Sequence, residues 1–163
     1  MSDQKVGLYV GKFQPFHSGH LHALQYSASH VDKLIVMIGS SQYSGLKNLP
    51  FSASKRRQMI EQSVTAKGLE MPIIVEVPDI DDSNHWVDHV KKSMPHFDIV
   101  FTNNEIVKEL FEAKNIPVSP IPFLPGVSGT LVRQKLEDKD SEWSALVPDA
   151  TASVVRDDGQ YKV

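Results

Sequence analysis

Residues 11–20 read GKFQPFHSGH, placing His17 and His20 three apart around Gly19, just after a short apolar run and Lys12. Three chemistries compete for such a stretch. Together with His22 the histidines could hold a metal, although no carboxylate or cysteine stands beside them to complete a ligand set. They could sit in a packed turn, satisfied by backbone groups. They could also cradle an anion: Gly11 permits a tight turn, Pro15 stiffens the loop, and Gly19 falls where a helix begins and its first N–H groups point outward unpaired. The stretch is neither a GxxxxGK[ST] loop nor a GxGxxG fingerprint.

Three further segments carry candidate chemistry. In 40–60, Lys55, Arg56 and Arg57 crowd the first turn of a predicted helix, where the helix dipole disfavours cations. Either that face is solvated with an acid nearby, or Arg56 and Lys47 hold a phosphate or carboxylate. In 78–90, Asp79, Asp81, Asp82 and Asn84 lack the central Gly and distal Glu of a calcium loop, and Trp86 is either core or a platform for a flat ring. In 126–136, Ser128 and Thr130 offer hydroxyls at a helix start, Gly129 allows close approach, and Arg133 follows one turn on. Position 131 is Leu, not the Glu or Gln of a capping box, which leaves the hydroxyls freer for a ligand. Two helix starts with such donors, each following a strand, suit the polyphosphate of a nucleoside triphosphate.

The elements that must position these residues alternate along the chain. Apolar, β-rich runs at 5–10, 33–39, 72–77, 97–102 and 116–121 are separated by helix-like stretches. The second and fourth are nearly continuous apolar runs, as in strands covered on both faces. Leu21, Leu24 and Ala28, and Val107, Leu110 and Phe111, form helical stripes, with Ser18, Ser52 or Ser54, and Ser128 as expected N-caps. The pattern predicts a doubly wound, Rossmann-like α/β fold: a mostly parallel sheet of five or six strands with helices on both faces. One domain over 1–163 is expected, with a short helix and a partly mobile polar tail from about residue 141. A hydrophobic share of 40% is that of a folding globular chain, and a net charge of −3 provides no global attraction for nucleic acid or anionic lipid. The absence of cysteine, of a basic-then-apolar leader and of any run of roughly 18 apolar residues leads to the expectation of a cytoplasmic protein without a membrane partner.

At this point the motifs resemble the HxGH nucleotidyltransferases, and within them the archaeal-type nicotinamide-mononucleotide adenylyltransferases. GKFQPFHSGH is similar to that family's GRFQPxHxGH, NLPFSASKRRQMI to NPFTxGERxxMI, and PDIDDSNHWVDHV to PDInxnxxWVxHV; FDIVFTNNEIVKELF and VSGTLVRQKL resemble the two remaining family segments. The resemblance spans residues 5–148, with Lys12 for the family's Arg, Asn103 for Gly and Lys55 for Glu. It implies transfer of AMP from ATP to nicotinamide mononucleotide, giving NAD and pyrophosphate. Catalytic roles fall to His17, His20, Arg133 and Lys12, and ATP binding to Gly11, Phe13, Gln14, Gly19, Asn103, Asn104, Ser128, Gly129 and Thr130. Lys47, Asp79, Asn84 and Trp86 are implied to receive the mononucleotide. The resemblance further implies Mg²⁺ held mainly by the ATP phosphates, with no protein metal ligands, and a homo-oligomer, in some relatives a hexamer. Nicotinate mononucleotide or phosphopantetheine as acceptor, and a non-catalytic nucleotide-binding module, stand as the alternatives.

Overall fold

Five strands, β1 (Val6–Gly11), β2 (Lys33–Ile38), β3 (Ile73–Glu76), β4 (Ile99–Phe101) and β5 (Val118–Ser119), form one sheet in the computed structural model, which describes residues 3–163. They run in the order β3-β2-β1-β4-β5, and every pairing is parallel. The predicted fold is therefore present, with five strands and no antiparallel member. The order reverses between β1 and β4, the place where open α/β sheets receive ligands beyond their strand ends.

Contacts divide the chain into two compact units. The first, residues 1–11, 23–41 and 72–122, contains the sheet. Because side chains alternate along a strand, Leu8, Ile35, Met37 and Val100 share one face, which Val87 and Val90 of α3 (Trp86–Lys92) and Phe111 of α4 (Glu105–Glu112) cover. The intervening Phe101 serves the other face, where Tyr26 of α1 (Ser18–Ser29) meets it edge to face at 6.4 Å. Helices thus lie on both faces, which is why β2 and β4 read as unbroken apolar runs.

The second unit, residues 12–22, 42–71 and 123–163, is built on helices: the first turn of α1, α2 (Ala53–Ala66), α5 (Gly129–Glu137) and α6 (Asp149–Asp158). Helices α2 and α6 pack together and bury Met59, Ile60 and Val64 with Ala152, Val154 and Val155. A 3₁₀ turn at Ser141–Leu146 buries Trp143, over whose ring the Arg156 guanidinium sits at 5.2 Å. Arg56 is also fully buried, so it does not lie on the solvated face that was one of its two expected courses. Its guanidinium donates to the carbonyls of Lys12 (2.9 Å), Ser52 (3.3 Å) and Tyr43 (3.5 Å), tying two loops to the start of α2. Those carbonyl dipoles offset the placement of a cation in a helix's first turn.

Ser52 caps α2 and Ser128 caps α5, each accepting from the N–H three residues on. Ser18 does not cap α1: it is already helical, and the His17 carbonyl takes the first helical bond, from Leu21 N–H at 3.1 Å. No helix among the described residues is long and apolar enough to cross a membrane.

Candidate active site

The two histidines cap one helix mutually. His20 N–H donates to His17 Nδ1 (3.2 Å), and His17 N–H donates to His20 Nδ1 (3.1 Å), an imidazole version of the reciprocal capping box at the start of α1. A ring nitrogen that accepts carries no proton, so each neutral ring bears its hydrogen on Nε2. The rings stack with centroids 3.6 Å apart at 19°, and Phe13 and Phe16 enclose His20 from two further sides. Burial, then the Arg133 charge, pulls His17 down to about 4. Burial pushes His20 well below the usual imidazole range, the His17 charge adds to this, and a Pro15 carbonyl opposes it more weakly. At neutral pH both rings are uncharged, with the ring hydrogen on Nε2.

Gly19 is required by this packing. A Cβ there would lie 2.9 Å from His17 Cε1 and 3.0 Å from its Nδ1, so any larger residue displaces the ring. The preceding loop is equally constrained. Phe13 holds a left-handed backbone (φ 58°) with its ring buried, and the Gln14 side-chain amide brackets the Phe51 backbone, donating to the carbonyl (3.0 Å) and accepting from the N–H (2.9 Å). The Gln14 carbonyl accepts from Arg133 Nη1 at 2.9 Å, and Thr130 Oγ1 lies 3.4 Å from Nη2. Gly129 admits that guanidinium, since a Cβ would come within 2.8 Å of Nη1. The Ser128 hydroxyl is less free than its sequence context suggested: its oxygen accepts from Leu131 N–H at 3.1 Å, while its own hydrogen can still donate.

One cleft of about 650 Å³ within the second unit is bounded by Lys12, Phe13, Gln14, His20, Gly129, Thr130 and Arg133 with Asn48 and Leu49 from the 42–50 loop. Its charged side chains are Lys12 and Arg133, its polar groups include the backbone at the start of α5, and no carboxylate among the described residues lines it. Such a wall attracts a polyanion and repels a bare cation. Nor do three His, Asp or Glu side chains gather anywhere among the described residues to hold a metal.

Lys47 is exposed on the same loop. The remaining predicted residues belong to the first unit, with Gly11 closing β1. Asp79 accepts from the Ser40 hydroxyl at 2.7 Å, Asn84 is exposed in a 3₁₀ turn, and Trp86 is half-buried, packed against Phe111 at 5.5 Å. Beyond β4, Asn104 caps α4, and the Asn103 amide bonds the Ile121 backbone in both directions at 2.8 Å. Sequence reasoning missed the structural duties of Gln14, Phe51 and Arg56, whose partners lie tens of residues away and leave no local pattern.

A family model for cytidylyltransferase-like proteins matches residues 8–135, which puts the chain in the nucleotidyltransferase class. The chain is 41% identical over 152 residues to a nicotinamide-nucleotide adenylyltransferase of Methanocorpusculum labreanum, covering 91% of itself and 89% of that protein. To the Halobacterium salinarum protein of the same name it is 35% identical over 160 residues, covering 96% of itself and 89% of that protein. Its fold matches a bifunctional NMN adenylyltransferase/ADP ribose pyrophosphatase from Francisella tularensis with a TM-score of 0.77 at 20% identity, covering 97% of this chain and 51% of the other. The chain thus spans about half the length of that solved protein. The same Francisella protein complexed with AMP and a manganese ion matches with a TM-score of 0.75 at 21% identity, again covering 97% of this chain and 50% of the other. The chain belongs to the archaeal-type nicotinamide-nucleotide adenylyltransferases.

Proposed function

We propose that this enzyme joins nicotinamide mononucleotide to the adenylyl group of ATP, and that the second-unit cleft is its triphosphate site. An oxygen of the mononucleotide phosphate attacks the α-phosphorus. The bond from that phosphorus to the oxygen bridging it to the β-phosphorus breaks, and pyrophosphate leaves with the electron pair. No protein nucleophile is needed, so catalysis rests on alignment and on donors aimed at the phosphate oxygens where charge accumulates.

The observation that carries this reading is the mutual cap. It commits both Nδ1 atoms to the backbone and puts each ring hydrogen on Nε2, with His20 in the wall of a cleft that Arg133 also lines. His17, His20 and Lys12 act on the α- and β-phosphates. Arg133, Ser128, Thr130 and the Gly129 N–H hold the β- and γ-phosphates at the start of α5. Gly11, Phe13, Gln14 and Gly19 shape the loop around them, and Asn103 and Asn104 serve the adenine side. Lys47, Asp79, Asn84 and Trp86 receive the mononucleotide. A divalent ion, Mg²⁺ in our reading, fits a cleft without carboxylates only if it arrives on the triphosphate, where it neutralises charge on the phosphate oxygens. We further propose that the enzyme works as a homo-oligomer, which light scattering tests.

The decisive assay mixes the protein with ATP and Mg²⁺ and, in separate reactions, nicotinamide mononucleotide, nicotinate mononucleotide or phosphopantetheine, and measures pyrophosphate and dinucleotide. Turnover with the nicotinamide acceptor is expected, and silence with all three rejects the proposal. His20→Ala is expected to lower kcat by roughly a hundredfold while KM for ATP rises far less, because its hydrogen bond strengthens as charge develops. A change confined to KM would reduce His20 to a binding role.

A further inference from the structure

We infer that Gln160 and Tyr161, beyond the last helix, are positioning residues for Arg133, acting through Pro50, Phe51 and Gln14. This inference rests on the adenylyl-transfer reading above. The sequence predicts a short helix and a partly mobile polar tail from about residue 141. In the structure α6 ends at Gly159, whose left-handed backbone (φ 77°) turns the chain. Gln160 Nε2 then donates to the Pro50 carbonyl (2.8 Å) and to Asp158 Oδ2 (2.7 Å), and the Tyr161 ring lies 6.0 Å from the Phe51 ring at 51°.

Each link onward is short. Phe51 is fully buried, and its backbone N–H and carbonyl are both bonded to the Gln14 amide. The carbonyl of Gln14 accepts from Arg133 Nη1. The tail therefore presses residues 50–51 from one side while Gln14 holds them from another, and the position of Gln14 sets where the Arg133 fork points. Burial raises the Tyr161 hydroxyl above its ordinary value, the Glu137 charge raises it further, and the nearby Arg133 guanidinium opposes them only in part. A cation meant for one phosphate geometry loses rate when its support shifts by a fraction of an ångström, so a remote tie matters to kcat.

The test compares full-length wild type with Gln160→Ala, Tyr161→Ala and Tyr161→Phe for kcat, KM of each substrate, ATP affinity by calorimetry and the unfolding midpoint. Gln160→Ala and Tyr161→Ala should lower kcat roughly three- to tenfold with KM for the mononucleotide within about twofold, whereas Tyr161→Phe, which keeps the ring on Phe51, should retain more than about half of kcat. In an Arg133→Lys background, or Arg133→Gln should the first not fold, the same tail substitutions should cost less than about twofold, because residues acting through one group are not additive. Tail variants that lower only the unfolding midpoint, or that cost as much without Arg133 as with it, overturn the inference. Should the wild type bind ATP without turnover, the adenylyl-transfer reading fails by itself. The tail is then judged on ATP affinity, expected to weaken roughly threefold or more in Tyr161→Ala and overturning the inference if unchanged.

Discussion

A histidine is usually considered for its proton, yet His17 and His20 serve first as hydrogen-bond acceptors toward a helix start. This role has a pH consequence. The folded-state pKa of His17, about 4, lies below its unfolded value of 6.5. The unfolded chain therefore takes up the proton first as pH falls. Stability from this group is fully present above about 6.5 and is lost on acidification through about 4, on the order of 3 kcal/mol in all. Urea unfolding between those pH values should show the slope, and His17→Asn, which retains a capping acceptor that does not titrate, should flatten it. If the two slopes coincide, the ring is not held neutral as described. Gly19→Ala is the steric counterpart: pushing the His17 ring aside should cost about 1–3 kcal/mol and lower kcat about tenfold or more. Activity within a factor of about two of wild type would mean the stacked arrangement is dispensable.

Among the elements, three helices illustrate three uses of an N-terminus. The start of α1 is closed by imidazoles, that of α2 by Ser52 beside the buried Arg56, and that of α5 by Ser128, with Gly129 and Thr130 facing the cleft. Removing equivalent caps should therefore have unequal effects. Ser52→Ala and Ser128→Ala should each destabilise by about 1 kcal/mol in urea titration. Only Ser128→Ala should also raise KM for ATP, because its hydroxyl hydrogen is the one available to a phosphate. Equal kinetics for the two variants would confine Ser128 to capping. The Arg56 cluster shows what a local reading of a cation leaves out: carbonyls from two loops and the helix start converge on it, and such convergence has no local signature.

For the whole molecule, the sheet and the proposed triphosphate cleft would separate the work of stability from the work of binding. Leu8 lies in the central strand, fully buried, and belongs to the sheet core rather than to the cleft wall. Leu8→Ala should cost about 2–5 kcal/mol in urea unfolding while the folded fraction keeps its KM for ATP. A large KM change at intact stability would show that the sheet does more than carry the loops. With a net charge of −3, attraction for a polyanion is local, concentrated where Lys12 and Arg133 line a wall without carboxylates.

The amino-acid order by itself determined the strand positions, the α/β class and the two helix starts that carry the donors. Those features follow from apolar periodicity, glycine and capping chemistry within a few neighbouring residues. Tertiary structure alone decided which hydrogen bonds orient those donors. Gln14 meets Phe51 across 37 positions, Arg133 meets Gln14 across 119, and Gln160 meets Pro50 across 110. Contacts at such separations arise when a folded chain satisfies its buried polar groups, and no local residue pattern encodes which partner will be at hand.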